Sequence, residues 1–342
     1  MRNLLPSLAA LPLVCAVSAV AVQDQEVAPP PSPGQIVAQA AAEEWIAIAA
    51  SDLLVMELAP DREGNERRVI IQLMPPPFSQ GWVRNIRKLA AAKWWDGTSV
   101  NRVQDNYVVQ WGDADYDNPE SEGEAKSLPE DLEVVPESEY LQPKAQELFV
   151  MTEPGIPEPD PFQPIVDPIT PIPADKDAYS EAAGFWKGWP LGADARRLGS
   201  TWPVHCYGMV GVGRNLSPDT GTGAELYTVI GHAPRHLDRN IALVARIIEG
   251  IEHLSSLPRG KGQLGFYEDP ARRVPITSIR LVSALPEADQ PRFEYLDTEA
   301  ETFARYAEAR ANRRDPFFNV PAGGADICNI PVPVRRVTES GE

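Results

Sequence analysis

Histidine is scarce in this chain, with 4 among 342 residues, and only 3 residues are cysteine. That shortage argues against a zinc module, whose closed sites draw four ligands from such residues. His232 and His236 stand four apart, but the intervening A-P-R includes Pro234 and reads as a loop with no third ligand in view, so no metal and no cofactor is expected. Basic residues are also in the minority, 31 Lys and Arg against 49 Asp and Glu, for a formal net charge of -18. A nucleic-acid binder neutralises phosphates with clustered Lys and Arg. No nucleic-acid partner is expected, and the acidity chiefly keeps the surface soluble. No G-x-S-x-G motif is present to support serine hydrolysis. The glycines of GVGRNLSPDTGTG lack both the strand, G-x-G-x-x-G, helix order and the lysine of a phosphate-cradling loop.

Long apolar runs are missing as well, apart from the opening MRNLLPSLAALPLVCAVSAVA. Arg2, the apolar stretch from Leu4 to Val17 and the small residues Ala19 and Ala21 read as a secretory signal peptide over residues 1–21, cleaved after Ala21. The stretch is broken by Pro6 and Pro12 and is shorter than the ~20 apolar residues of a spanning helix, so no membrane span is expected. Cys15 suggests a lipid-attachment site, but Val14 precedes it where a small residue is usual. Export to the periplasm or the exterior is the expected localisation, and oligomeric state is left open. There, Cys206 and Cys328 have two readings, one disulfide or two buried thiols.

Proline is abundant, at 35 residues. Twelve prolines fall between Pro119 and Pro173, eight of them from Pro154 onward, so residues 114–206 read as an insertion of extended, irregular chain, with helix around Glu137 to Phe149. A proline-rich mature terminus and an Ala-rich run suggesting a short helix between Gly34 and Ala50 form an N-terminal extension over residues 22–50. DLLVMELA and RRVIIQLM, separated by the turn-forming PDREGNE, read as a hairpin. Trp82, Ile86 and Leu89 lie at helical spacing. β character resumes at Gly208, passes into helix near Ile248, and returns in ITSIRLVSAL up to Leu285. Residues 286–342 form a C-terminal extension with a helix around Thr302 to Arg313.

IRKLAAAKWWDGTSVNRVQDNYVVQWGD resembles the first signature of the cyclophilin family, in which a helix leads through a D-G-T turn to an Arg-containing strand. GMVGVGRNLSPDTGTGAELYTVIGHAPRHLDRN followed by IALVARIIEG resembles the second, in the family's order. The resemblance covers Asp52 to Asp113 and Gly208 to Leu285, within a domain over residues 51–285. It implies a mainly β fold, an eight-stranded antiparallel barrel capped by two helices, and peptidyl-prolyl cis/trans isomerase activity on proline-containing polypeptides.

Such an enzyme must lower a rotation barrier of roughly 18–20 kcal/mol that arises from amide resonance. A hydrogen bond donated toward the prolyl nitrogen localises its lone pair and weakens the double bond, and an arginine supplies it from a rigid, permanently charged fork. By the resemblance Arg102 takes this catalytic role, with Gln110 orienting the arginine or the substrate backbone. Tyr107, Val108, Tyr227 and Leu237 match the apolar proline slot, and Gly213 and Arg214 match backbone-contacting positions. Glu225 falls where the family usually has Gln, and His236 where members carry Trp or His. Departures stand at Ile241, Val244 and Trp111, where members often have His, Phe and Gly.

The expected function is isomerisation of X-Pro bonds in exported proteins during their folding. The alternative is a cyclophilin-fold peptide-binding module or chaperone with weak or no activity, motivated by Glu225, Trp111, Val244 and the insertion. A third expectation has residues 150–175 folding over the groove as a self-ligand.

Overall fold

The structure, a computed structural model, describes residues 29–116, 121, 123–143, 170–171, 177–194 and 199–338. The leader, Cys15 and most of the proposed self-ligand lie outside the described residues. Along the chain, α1 (Pro33–Ala38) precedes β1 (Trp45–Ala47), β2 (Leu53–Leu58), β3 (Arg67–Leu73), α2 (Gln80–Ala91), β4 (Ser99–Val103) and β5 (Val108–Gly112). The insertion holds β6 (Gln142–Pro143), β7 (Thr170–Pro171), β8 (Ala182–Trp186), β9 (Trp189–Asp194) and β10 (Ser200–Pro203). Then come β11 (Met209–Val212), β12 (Leu226–Val229), β13 (Leu243–Glu249), α3 (Glu252–Ser255) and β14 (Val274–Leu281), followed by β15 (Phe293–Leu296), α4 (Glu301–Ala311) and β16 (Val334–Arg336). Eight strands close an antiparallel barrel in the order β11, β12, β5, β4, β14, β2, β3, β13.

The hairpin β2–β3 shows why its sequence is apolar without alternation. Leu54, Met56, Leu58, Val69, Ile71 and Leu73 belong to the main core, whereas Leu53, Val55 and Ile70 pack with Ile48, Phe293 and Tyr295. Both faces are covered, and a strand buried on both faces reads as a continuous apolar run. Asp61 builds the turn between them, its Oδ1 accepting from the backbone N–H groups of Glu63 and Asn65, both at 2.9 Å.

Helix α2 buries Trp82, Ile86 and Leu89 against the barrel. Its outer Arg84 and Lys88 meet Glu133 and Asp131 of the insertion. Asn85, wholly buried, exchanges two hydrogen bonds with the Glu133 backbone, at 2.9 and 2.8 Å. Trp82 stacks on Tyr140 at 5.4 Å. The second capping helix is shorter than expected: the chain stays in β13 to Glu249, because Ala245 to Glu249 pair with β3, and α3 spans only 4 residues. Pro258 and the G-K-G-Q-L-G run then bring the chain back to β4, where the Gly260 N–H donates to the Val103 carbonyl at 2.9 Å and Phe266 bridges to Arg102.

Within the insertion, the expectation of irregular extended chain is corrected. Strands β6, β10, β9, β8 and β7 form a five-stranded sheet in that order. Phe185, Trp186, Trp189, Leu191 and Trp202 are buried, so apolar area, which stabilises by roughly 25 cal/mol per Å², outweighs the proline content locally. Glu137–Tyr140 form a single 3-10 turn instead of a longer helix, and residues 144–150 lie outside the described residues. Between Gly34 and Ala50, helix ends at Ala38, and Trp45–Ala47 instead pair with β15. With β16 they make a three-stranded sheet uniting the two extensions. Cys206 and Cys328 are joined in a disulfide that ties the insertion's end to the C-terminal extension. Among the described residues no helix is long and apolar enough to cross a membrane.

Candidate active site

Strands β4 and β5 run antiparallel with Arg102 opposite Gln110. Arg102 Nη1 donates to Gln110 Oε1 at 3.0 Å, Nη2 to Gln104 Oε1 at 2.5 Å, and Nε to the Leu264 carbonyl at 2.7 Å. The guanidinium carbon lies 5.6 Å from the centre of the Phe266 ring and 6.0 Å from that of Tyr107. Burial lowers the Arg102 pKa from its ordinary value, against the opposing pull of Tyr107 and Tyr227. An arginine starts so far above neutrality that it remains charged. Held at these points, the guanidinium presents a fixed cation at the edge of a cavity.

That cavity holds about 190 Å³. Tyr107, Val108, Tyr227, Leu237 and Ile241 form its apolar side, clustered with the buried Val229. Tyr227 on β12 faces Gln110 on β5, which sets the ring beside the arginine's anchor. Burial raises the pKa of both phenols, that of Tyr227 well above its ordinary value. Both therefore stay neutral wherever the arginine is charged at ordinary pH. An uncharged slot beside a fixed cation suits a proline ring and its preceding carbonyl.

Gly213, Arg214 and Glu225 line the polar side. Glu225 is buried, and its Oε1 accepts from the Asp113 N–H at 2.6 Å. Its carboxyl also lies over Gly112, where an added Cβ would meet Oε1 at 2.1 Å. Gly213 donates its N–H to the Glu225 carbonyl at 2.8 Å. Arg214 wraps onto the Asn240 carbonyl, with Nη2 at 2.8 Å. His236 does not line the cavity; its ring stacks on Tyr107 with centroids 6.3 Å apart and planes 11° from parallel. The departures at Trp111 and Val244 are fully buried in the barrel core, away from the lining, whereas Ile241 is part of the slot.

Leu264, Phe266, Tyr116 and Val212 also line the cavity without having been singled out in the sequence. Leu264 and Phe266 arrive from the run after Pro258, and Phe266 bridges to Arg102 itself. The glycine spacing G-K-G-Q-L-G-F marks a looped segment, but nothing local says that it returns to the arginine. Gln104 is visible only as a polar residue two after Arg102.

A family model described as cyclophilin type peptidyl-prolyl cis-trans isomerase matches residues 70–281. No curated protein matches the chain. Among solved structures, the cyclophilin AquaCyp293 from Hirschia baltica superposes with a TM-score of 0.60 at 21% identity, over 87% of this chain and 95% of that one. A Cryptosporidium parvum cyclophilin type peptidyl-prolyl cis-trans isomerase gives TM-scores of 0.34 and 0.35 at 11% identity, over 66% and 67% of this chain and 98% and 96% of that one. Since the matched residues run from within β3 to the end of β14 and so take in both halves of the site, the chain belongs to the cyclophilin-type peptidyl-prolyl cis/trans isomerase family.

Proposed function

We propose that this isomerase acts on X-Pro bonds of exported polypeptides as they fold, with Arg102 as its catalytic residue. The observation that carries the reading is the Arg102 guanidinium, fixed beside the apolar slot of Tyr107, Val108, Tyr227 and Leu237. A proline ring seated in that slot puts its amide within reach of a guanidinium N–H. Donation toward the prolyl nitrogen strengthens as the amide twists and the lone pair localises, and only such a differential contact speeds the step. Gln110 orients the fork, and Gly213 and Arg214 line the path of the substrate backbone. No bond is made or broken, so no cofactor is called for.

The leader-like residues 1–21 support export to the periplasm or beyond. Exchange spectroscopy on an Ala-Pro peptide tests the activity, and fractionation of cells making the full chain tests the location. Catalysed interconversion and a processed, non-cytoplasmic product are expected; an unprocessed cytoplasmic product contradicts the client assignment.

A second reading, a peptide-binding module of weak activity, is favoured by one observation. Three of the five Arg102 N–H groups are already engaged by Leu264, Gln110 and Gln104, which leaves one N–H on each Nη for a substrate. Peptide binding without catalysed exchange selects it.

A further inference from the structure

Tyr227 is a tyrosine whose ring forms the slot and whose hydroxyl is buried, and the hydrogen-bond partner of that hydroxyl comes from outside the barrel strands. Gly211 on β11 pairs with Tyr227 and makes room for the phenol: an added Cβ there would lie 2.3 Å from Oη. Beyond the glycine, His205 Nε2 lies 3.0 Å from Oη. The two rings are nearly parallel, 13° apart, with centroids separated by 6.3 Å. His205 is 1% exposed and belongs to the return from the insertion, between β10 and Cys206.

The imidazole is itself fixed. Asp238 Oδ1 accepts from the His205 backbone N–H and from Nδ1, both at 2.9 Å. With Nδ1–H committed to the carboxylate, Nε2 faces the phenol as an acceptor and Tyr227 donates to it. Asp238 Oδ2 accepts from Arg235 Nε at 2.7 Å, and Arg235 Nη2 donates to Asp177 Oδ2 at 2.8 Å. Arg235 Nη1 lies 3.5 Å from Asp326, whose Oδ1 accepts the Cys328 N–H at 2.8 Å. Arg235 and Asp238 flank the short turn that carries His236 and Leu237, and Leu237 is another wall of the slot.

We propose that His205 is the positioning residue for Tyr227: its imidazole holds the phenol back against Gly211 and thereby keeps the proline slot open. A buried hydroxyl left without its acceptor is costly and shifts to find another, and any shift of Oη moves the ring that forms the slot. The insertion and the C-terminal extension, through Asp177 and Asp326, thus set the shape of a site built on the barrel. This inference rests on reading the slot as the proline site.

The test is a double-mutant cycle on the full chain, with an Ala-Pro peptide as substrate and binding measured in parallel. In the wild-type background His205→Ala is expected to raise KM by about fivefold or more while kcat changes less than about twofold. With Tyr227→Phe, which has no hydroxyl to satisfy, the same His205→Ala change is expected to move KM less than about twofold, since the two substitutions cut one link. A purely structural histidine would lower thermal stability and move KM equally, or not at all, in both backgrounds; either result overturns the proposal. If His205→Ala does not fold, His205→Gln, which keeps a polar group near Oη, is read by the same comparison and should show a smaller rise. Wild-type protein that neither binds nor turns over the peptide overturns the slot reading and this inference together. Normal wild-type kinetics with equal KM effects overturns the inference alone.

Discussion

Arg102 Nη1 and Gln110 Oε1 are 3.0 Å apart across the β4–β5 pair, and this hydrogen bond fixes the guanidinium beside the apolar slot. Gln110 also lies opposite Tyr227 on the other neighbouring strand, so one side chain indexes both the cation and the slot. A hydrogen bond to a charged group contributes about 1.5–3 kcal/mol. Gln110→Ala is therefore expected to lower the thermal midpoint by a few degrees and, by freeing the guanidinium, to lower kcat/KM about tenfold or more, measured by exchange spectroscopy at a temperature where both proteins are folded.

Leu264 gives its carbonyl to Arg102 from a left-handed backbone conformation, with φ at 55° and the residue 55% exposed. A non-glycine residue in this region stores about 1–3 kcal/mol of strain. Leu264→Gly removes the strain, offset in part by glycine's greater unfolded-state freedom. Denaturant titration should show a gain of about 0.5–1 kcal/mol with the Arg102 contact preserved.

The Cys206–Cys328 bridge spans 122 residues of sequence, enclosing the whole second half of the barrel. Closing so long a loop restricts the unfolded chain, and native disulfides typically contribute about 2–4 kcal/mol. Cys328→Ser, or reductant on the wild type, should lower unfolding stability by that amount, and reductant should leave the variant unaffected.

Both slot phenols have raised pKa values, Tyr227's chiefly through burial. A raised phenol pKa means that the neutral form persists past the ordinary value of about 10. Across the alkaline range kcat/KM should therefore show no phenol ionisation below pH about 10. An inflection near pH 8 or 9 that disappears in Tyr107→Phe or Tyr227→Phe would contradict this environment.

Much of the barrel was legible because local and long-range signals agree there. The hairpin of β2 and β3 shows in LLVM and VII flanking PDREGNE, and Arg102, Tyr107, Val108 and Gln110 sit on one short hairpin, where spacing fixes their grouping. In the insertion the proline count masks the buried Phe185, Trp186, Trp189 and Trp202, two of which pack on distant rings, Phe185 on Phe303 and Trp186 on Phe78. Helix was overextended at Ile248, where pairing with β3 overrides local preference. The roles of Leu264, Phe266 and His205 are not legible in the sequence for a related reason. Their roles depend on partners 162, 164 and 22 residues away. No periodicity records such a return.

The most direct measurement compares wild type with Arg102→Ala for both catalysed exchange of an Ala-Pro peptide and its Kd. The account predicts a loss in kcat/KM of about a hundredfold, the scale on which a single preorganised donor acts. The Kd should change far less, because the apolar slot of Tyr107, Val108, Tyr227 and Leu237 is left in place. Equal turnover by the two proteins would contradict the assignment of catalysis to Arg102.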